Sequence, residues 1–437
     1  MWTLVSKARR RRRRGGARVT QKGIALIVVL SFLTVLVALV TEFSTTSTVN
    51  YVSAVNARES MRAQFLNRSG ANLAQLIIRV QTDVLDKNRK FLGDIQLADY
   101  TGLFMGAFGG SADEVKDMSA MLGGFDGEAI EGLGVSAGQF DVQISTEDGK
   151  LNMNCANGSE ASRKNLETQL SSLLYFKAYD PIFETADADG WNRTRDEQVS
   201  ALMDYIDKDT TKGGQRGTTE DYGYQRLDDR YKAKNNYIDT TTELKLARGV
   251  DDRFWTLFGG QFTVYGDCKV NIGAIQDPKL IASVIFLAAK DPENEVIKDP
   301  QKLWVLAKRV AEARSFGIYF DDLNAFADFV KSPDGALADL LGNSEGGQAV
   351  QPGVAEAAAG VEPVEGVELD QQKLGQVASS GPRRLYRVEV SSSIGTNAFG
   401  DPRYQRKLVG IWDTEVQNQN MRSQDYRRGA WVYWREE

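Results

Sequence analysis

The sequence predicts an α/β (α+β) fold: a long N-terminal helix packed on an antiparallel sheet, with a large all-helical domain inserted into that sheet. Three observations predict it. Apolar residues recur at three- and four-residue steps from Ile24 to about Asp86, as on one face of a helix. Two-residue alternation marks Gly138 to Asn154, Gly259 to Ile275 and the stretch from 383 to the end, as in half-buried strands. Between the first two strand segments the apolar spacing is helical throughout.

Composition fits a folded chain long enough for two or more cores: 437 residues, 42% apolar and 26% charged. Charge is distributed unevenly. Residues 1–23 hold nine Lys or Arg, including six consecutive arginines from Arg9 to Arg14, and no acid. Taking those nine from the formal net charge of -6 leaves -15 on everything from Ile24 onward. A basic block can bind nucleic acid, but this one abuts an apolar run, where the positive-inside rule accounts for it. The reading therefore includes no nucleic acid.

From Ile24 to Val40 every residue is apolar except Ser31 and Thr34, whose hydroxyls can bond back to their own helix. At about 1.5 Å per residue the run covers roughly 26 Å, the thickness of a bilayer core. A cleavable secretory signal has a shorter apolar core followed by small residues, a pattern not found after Thr41. Residues 24–41 are thus expected to cross a membrane and 42–86 to continue the helix outside it. The stripe Phe43, Val49, Val52, Val55, Met61, Phe65, Leu73, Ile77, Val80 and Val84 is expected to face a folded domain. Gly70 interrupts the helix-forming sequence.

Residues 87–137 are rich in Gly and Ser and read as a variable loop segment. At 138–154, Phe140, Val142 and Ile144 alternate with polar residues, a Glu-Asp-Gly turn follows, and "KLNMN" reads as a second strand. The helical insertion occupies 155–260, and a returning strand 261–275. A second helical region spans 276–342, a Gly-, Ala- and Glu-rich linker 343–382, and the closing strands 383–437.

The chain offers little for catalysis. It has no histidine, which removes the commonest general base and the usual ligands of catalytic zinc. "GGSAD" and "GLGVSAG" carry no Lys for a phosphate loop and no base for a nucleophile, and no carboxylate pair stands out from the background of acids. The protein is expected not to be an enzyme and to take no small-molecule substrate. Cys155 and Cys268 flank the helical insertion. Two outcomes are open for them: a disulfide tying its ends, or two buried thiols.

The acids of "MDYIDKDTTKGGQRGTTEDY" are the strongest candidate for site chemistry. Asp207 and Asp209 leave a helix into a Gly-rich loop that returns with Glu220 and Asp221. Hard cations take six to eight oxygens, which such a loop can supply, while a solvated acidic turn is the alternative. A second stretch, "TADADGWNRTRD", imitates an EF-hand loop with Asp187, Asp189, Gly190 and Asp196, but it opens on Thr185 and ends on Asp rather than Glu.

A basic leader ending in "QKG", then "IALIVVLSFL" and a long half-buried helix, resembles the N-terminus of type IV pilins and pseudopilins. Most of that family have Glu at the fifth mature position, where this chain has Val28. The order of "DGKLNMN", "LMDYIDKD", "TEDYGY", "TTELKLARGV" and "KVNIGAI" resembles the K-type minor pseudopilins of type II secretion systems. The extra segment 91–135 and Gly273, in place of the usual Asn-Thr-Ala run, depart from that pattern.

The resemblance implies a pilin-like fold, a cleaved and methylated N-terminus, and cutting by a prepilin peptidase between Gly23 and Ile24. It implies calcium in the helical insertion, on Asp207, Asp209, Glu220 and Asp221, with Asn235 and Glu243 as further ligands. It also implies a bacterial inner-membrane protein with its bulk in the periplasm, partnered by the I, J and H type pseudopilins. Its function would be to initiate or cap the tip of the pseudopilus and so support export of folded proteins across the outer membrane. The alternative is a minor pilin of a type IV pilus or competence system, which shares the leader and helix.

Overall fold

The structure is a computed structural model. It describes residues 21–88, 96–101, 138–187, 190–209, 224, 231–315, 318, 320, 322–334, 363–396, 402–417 and 428–437. The loop segment 87–137 falls mostly outside these residues, as does the first half of the expected linker 343–382; its second half is not a linker but carries the short helix Gln371–Val377 and the strand Ala378–Ser379, because Leu369, Leu374 and Val377 are apolar enough to bury in the helical core. Two units divide the chain, 1–62 and 63–437.

The first unit holds the start of helix α1 (Gln21–Val80). It is long and apolar enough to cross a membrane, with a mean hydropathy of 3.0 in its most apolar window, none of it buried. Thr34 and Thr41 donate their hydroxyls to the carbonyls of Ser31 and Val37, both at 2.8 Å, so these polar side chains are satisfied within the helix.

In the second unit, the chain continues through β1 (Gln139–Thr146), β2 (Leu151–Asn152), α2 (Glu160–Leu174), α3 (Arg195–Ile206), α4 (Asp252–Phe258), β3 (Phe262–Thr263) and β4 (Val270–Asn271). It then forms α5 (Pro278–Ala288), α6 (Pro300–Ser315), α7 (Leu323–Lys331), α8 (Gln371–Val377), β5 (Ala378–Ser379), β6 (Leu385–Thr396), β7 (Pro402–Gln417) and β8 (Arg428–Glu436). The fold is α/β. The main sheet is antiparallel, ordered β1-β6-β7-β8, with Val142 opposite Val390 and Val390 opposite Leu408. The chain between β1 and β6 carries the helices.

Two cores fill this unit. In one, Ala63, Leu66, Ala71, Ala74, Ile77 and Ile78 of α1 pack on Phe140, Val142, Ile144, Val388 and Val390 of the sheet. The expected stripe is met in its later part, where Ile77 is buried and Leu73 packs against the core, but earlier the face that meets the sheet is formed by Ala63, Leu66, Ala71 and Ala74 instead of Met61 and Phe65. Met61 and Phe65 are 59% and 63% exposed. Small side chains let a helix lie close on a sheet, and Gly70 marks the closest approach: a Cβ there would stand 2.6 Å from Val390 Cγ1. The second core belongs to the helices and includes Leu170, Leu173, Leu202, Ile206, Phe254, Phe258, Ile281 and Ile285.

The strands next to the insertion depart from expectation. "KLNMN" does not return along β1. Instead β2 pairs in parallel with β3, and β4 with β5, as two-residue ladders outside the main sheet. Asp148 in the Glu-Asp-Gly turn ties the end of β1 to the start of β6: its carboxylate accepts the backbone N–H groups of Arg384 and Leu385 at 2.7 and 2.8 Å. Burial raises the Asp148 pKa, against those hydrogen bonds.

Candidate metal site

Helix α3 places the first acid. Thr194 and Glu197 form a capping box at its start, and Val199, Leu202, Met203 and Ile206 bury its apolar face. Asp207 follows as the C-cap residue, in an extended conformation that turns its side chain inward, where it is 2% exposed. Neither Asp207 oxygen accepts a hydrogen bond. The Arg163 guanidinium stands 3.5 Å from Oδ2 and 3.4 Å from Asp209. Burial first, then the neighbouring Asp209 charge, pushes the Asp207 carboxyl up to about 6, with Arg163 opposing. A buried carboxylate left without donors is costly, on the order of 1–3 kcal/mol or more. Such an arrangement is suited to a cation.

Asn235 closes the same turn. It is the one non-glycine residue with positive φ among those described, at +48°, a conformation Asn tolerates. Its backbone N–H donates to Tyr205 O at 3.1 Å and its Nδ2 to Asp209 O at 2.8 Å. Its Oδ1 is buried without a donor.

Asn157, at the end of the turn Met153–Asn157, gives Nδ2 to Ile206 O at 2.9 Å and leaves Oδ1 buried and unpartnered. Asn157, Arg163, Asp207 and Asp209 line one cavity. Sequence reasoning missed Asn157, because an Asn in "NCANGS" carries no spacing signal that distinguishes it from any turn Asn.

The remaining expected ligands fall elsewhere. Glu220 and Asp221 lie outside the described residues. Glu243 is committed to capping: it accepts the N–H groups of Asp239 and Thr240 at 2.7 and 3.0 Å and pairs with Lys234. Although burial alone would raise its pKa, the Lys234 hydrogen bond and the backbone donors leave it lowered. In this structure its carboxylate is thus engaged by a lysine and the helix cap. Among the described residues no group of three or more His, Cys, Asp or Glu converges. What does converge is one buried carboxylate with Asp209 and amide oxygens, a hard-oxygen set that fits calcium and offers nothing to a soft metal.

The EF-hand imitation folds around a cation of its own. The Arg193 side chain is fully enclosed; it donates to Gly249 O at 2.8 Å and to Gln198, and lies 4.0 Å from Asp187. Asp187 Oδ1 accepts the Trp191 N–H at 2.8 Å, and Thr185 donates its hydroxyl to Pro181 O at 3.0 Å. Asp196 sits in the first turn of α3. Asp189 is outside the described residues.

The structure joins Cys155 to Cys268, with Cα atoms 5.6 Å apart and a sequence separation of 113. The bond ties the turn bearing Asn157 to the strand segment that leaves the insertion.

A membrane-length helix whose later part packs on an antiparallel sheet, with a block of helices between two strands of that sheet, makes a mixed α/β fold. Residues 149–258, about a quarter of the chain and nearly coincident with the insertion, match the family model described as Type II secretion system (T2SS), protein K. A chain of the GspK-GspI-GspJ complex from the enterotoxigenic Escherichia coli type 2 secretion system is similar at 14% identity, covering 87% of this chain and 98% of that one with a TM-score of 0.48. No curated protein matches the sequence.

Proposed function

We propose that the protein is a minor pseudopilin of K type that initiates or caps the tip of a periplasmic pseudopilus, and so supports export of folded proteins across the outer membrane. The observation that carries this is the protein K match over 149–258, lying on the helical insertion of a pilin-like fold. The role is structural. Helix α1 anchors the chain in the inner membrane, the second unit lies in the periplasm, and a prepilin peptidase cuts between Gly23 and Ile24. Exposed Phe43, Val52, Met61 and Phe65 give α1 an apolar surface beyond the membrane on which I, J and H type subunits can pack. A deletion strain tests the reading: loss of exoprotein secretion with twitching and DNA uptake intact supports it, and the reverse pattern would favour the pilus alternative. N-terminal sequencing of the extracted protein should begin at Ile24.

Calcium is the second part of the proposal. Asp207 and Asn235 would hold it in the insertion, with Asp209 beside them and Glu220 and Asp221 as the acids expected from the sequence. Bound calcium would neutralise the buried Asp207 carboxylate and fasten the end of α3 to the returning chain. At a hundredfold excess over Kd a ligand adds about 2.7 kcal/mol of stability. The melting temperature should fall on adding a chelator and recover with calcium.

A further inference from the structure

We propose that Asn157 Oδ1 is a ligand of the cation held at Asp207, so that the seat is built jointly by the end of α3 and the disulfide-anchored turn Met153–Asn157. The inference rests on the calcium reading above and adds a residue and a structural coupling to it.

Orientation comes first. Asn157 Nδ2 donates to Ile206 O at 2.9 Å, and reversing the amide would set oxygen against that carbonyl, so the carbonyl end is fixed as the unpartnered one. Ile206 immediately precedes Asp207, so the hydrogen bond holds the Asn157 amide at the very turn that delivers the buried carboxylate. Four buried acceptor atoms then belong to this turn and its neighbours: Asp207 Oδ1 and Oδ2, Asn235 Oδ1 and Asn157 Oδ1, all without donors.

Acceptors alone cannot satisfy one another. Asn157 and Asp207 line one cavity, where a hard cation would satisfy their oxygens together, and neutral amide oxygens are ordinary partners of calcium beside one or two carboxylates. The charged groups facing the cavity are Arg163, whose guanidinium reaches Asp207 and Asp209 from α2, together with Glu160, Lys164, Glu167 and Lys208. Arg163 is 41% exposed on its side chain, free to yield its place to a bound ion.

The test is calcium titration of the detergent-solubilised full chain, stripped with chelator, followed by calorimetry. Asp207→Ala should abolish binding. Asn157→Ala should weaken it by tenfold or more. Asn157→Asp keeps an oxygen but loses the amide donor, and should bind at least as tightly as the unaltered chain. A purely structural Asn157, needed only as donor to Ile206 O, would make Asp fail as Ala does, and that result would overturn the inference. So would an Asn157→Ala chain binding with unchanged Kd while Asp207→Ala binds nothing, an outcome that leaves the calcium reading standing. If the unaltered chain takes up no calcium, both fall together.

Discussion

Gly70 shows how one missing methyl group sets the distance between a helix and a sheet. In a helix interior Ala is favoured over Gly by about 1 kcal/mol, so propensity alone recommends Gly70→Ala. Packing opposes it. The added Cβ would meet Val390 Cγ1 at 2.6 Å and the side chains of Phe140 and Val142 at 3.1 Å, all three in the core between α1 and the sheet. Forcing a methyl group into such a core costs about 1–3 kcal/mol. We expect Gly70→Ala to be net destabilising by about 1–2 kcal/mol, read as a lower denaturant midpoint; a raised midpoint would show that the helix can lift off the sheet without penalty. The sequence showed a glycine in a helix but not its reason, because the atoms it avoids lie some 70 and 320 residues away.

The insertion is held as an element by the Cys155–Cys268 bond and by the α3 C-terminus. Closing a loop of this length contributes about 4–5 kcal/mol in the chain-entropy view. The double variant Cys155→Ser, Cys268→Ser should therefore unfold at a markedly lower denaturant concentration than the oxidised protein. It should also bind calcium more weakly, since Asn157 is two residues from Cys155. Equal stability of the variant and the oxidised protein would mean that the helical core alone fixes both ends. Here the sequence allowed a disulfide or two thiols, as cysteine count says nothing of distance. The approach of the two residues is decided by Leu151, Met153 and Cys155 packing into the helical core beside Phe262 and Val270.

At the scale of the whole molecule, the proposed place at the tip of an assembly rests on what the N-terminal helix lacks and what the second unit carries. Val28 stands where most pilin-like subunits have Glu, so this chain has no carboxylate there for the N-terminal amine of a subunit ahead of it. A carboxylate in a bilayer costs about 2.5–3.5 kcal/mol and is kept for such a pairing; a subunit at the end of a filament has no use for one. The chain between β1 and β6 adds a helical domain that copies stacked along a shaft would each have to accommodate. We predict that cysteines placed along α1 crosslink this protein to other minor pseudopilins and not to itself. Val28→Glu should not convert it into a shaft subunit. Abundant self-crosslinked dimers along a filament would rule out a place at the tip.

The sequence by itself determined the membrane-length helix, the alternating face of β1 and the helical nature of the insertion. Hydrophobic period is local: three or four residues suffice to tell a helix face from a strand face. It also offered the α3 terminus as a candidate cation site, because clustered acids are visible without a fold. Only the tertiary structure decided which face of α1 meets the sheet, that β2 pairs with β3 instead of β1, that Arg193 occupies the EF-hand imitation, and that Lys234 engages Glu243. It also set Asn157 and Asn235, far apart in sequence, on the same helical turn. Each of these depends on which groups are left without a partner once distant segments meet, and that accounting exists only in the folded chain.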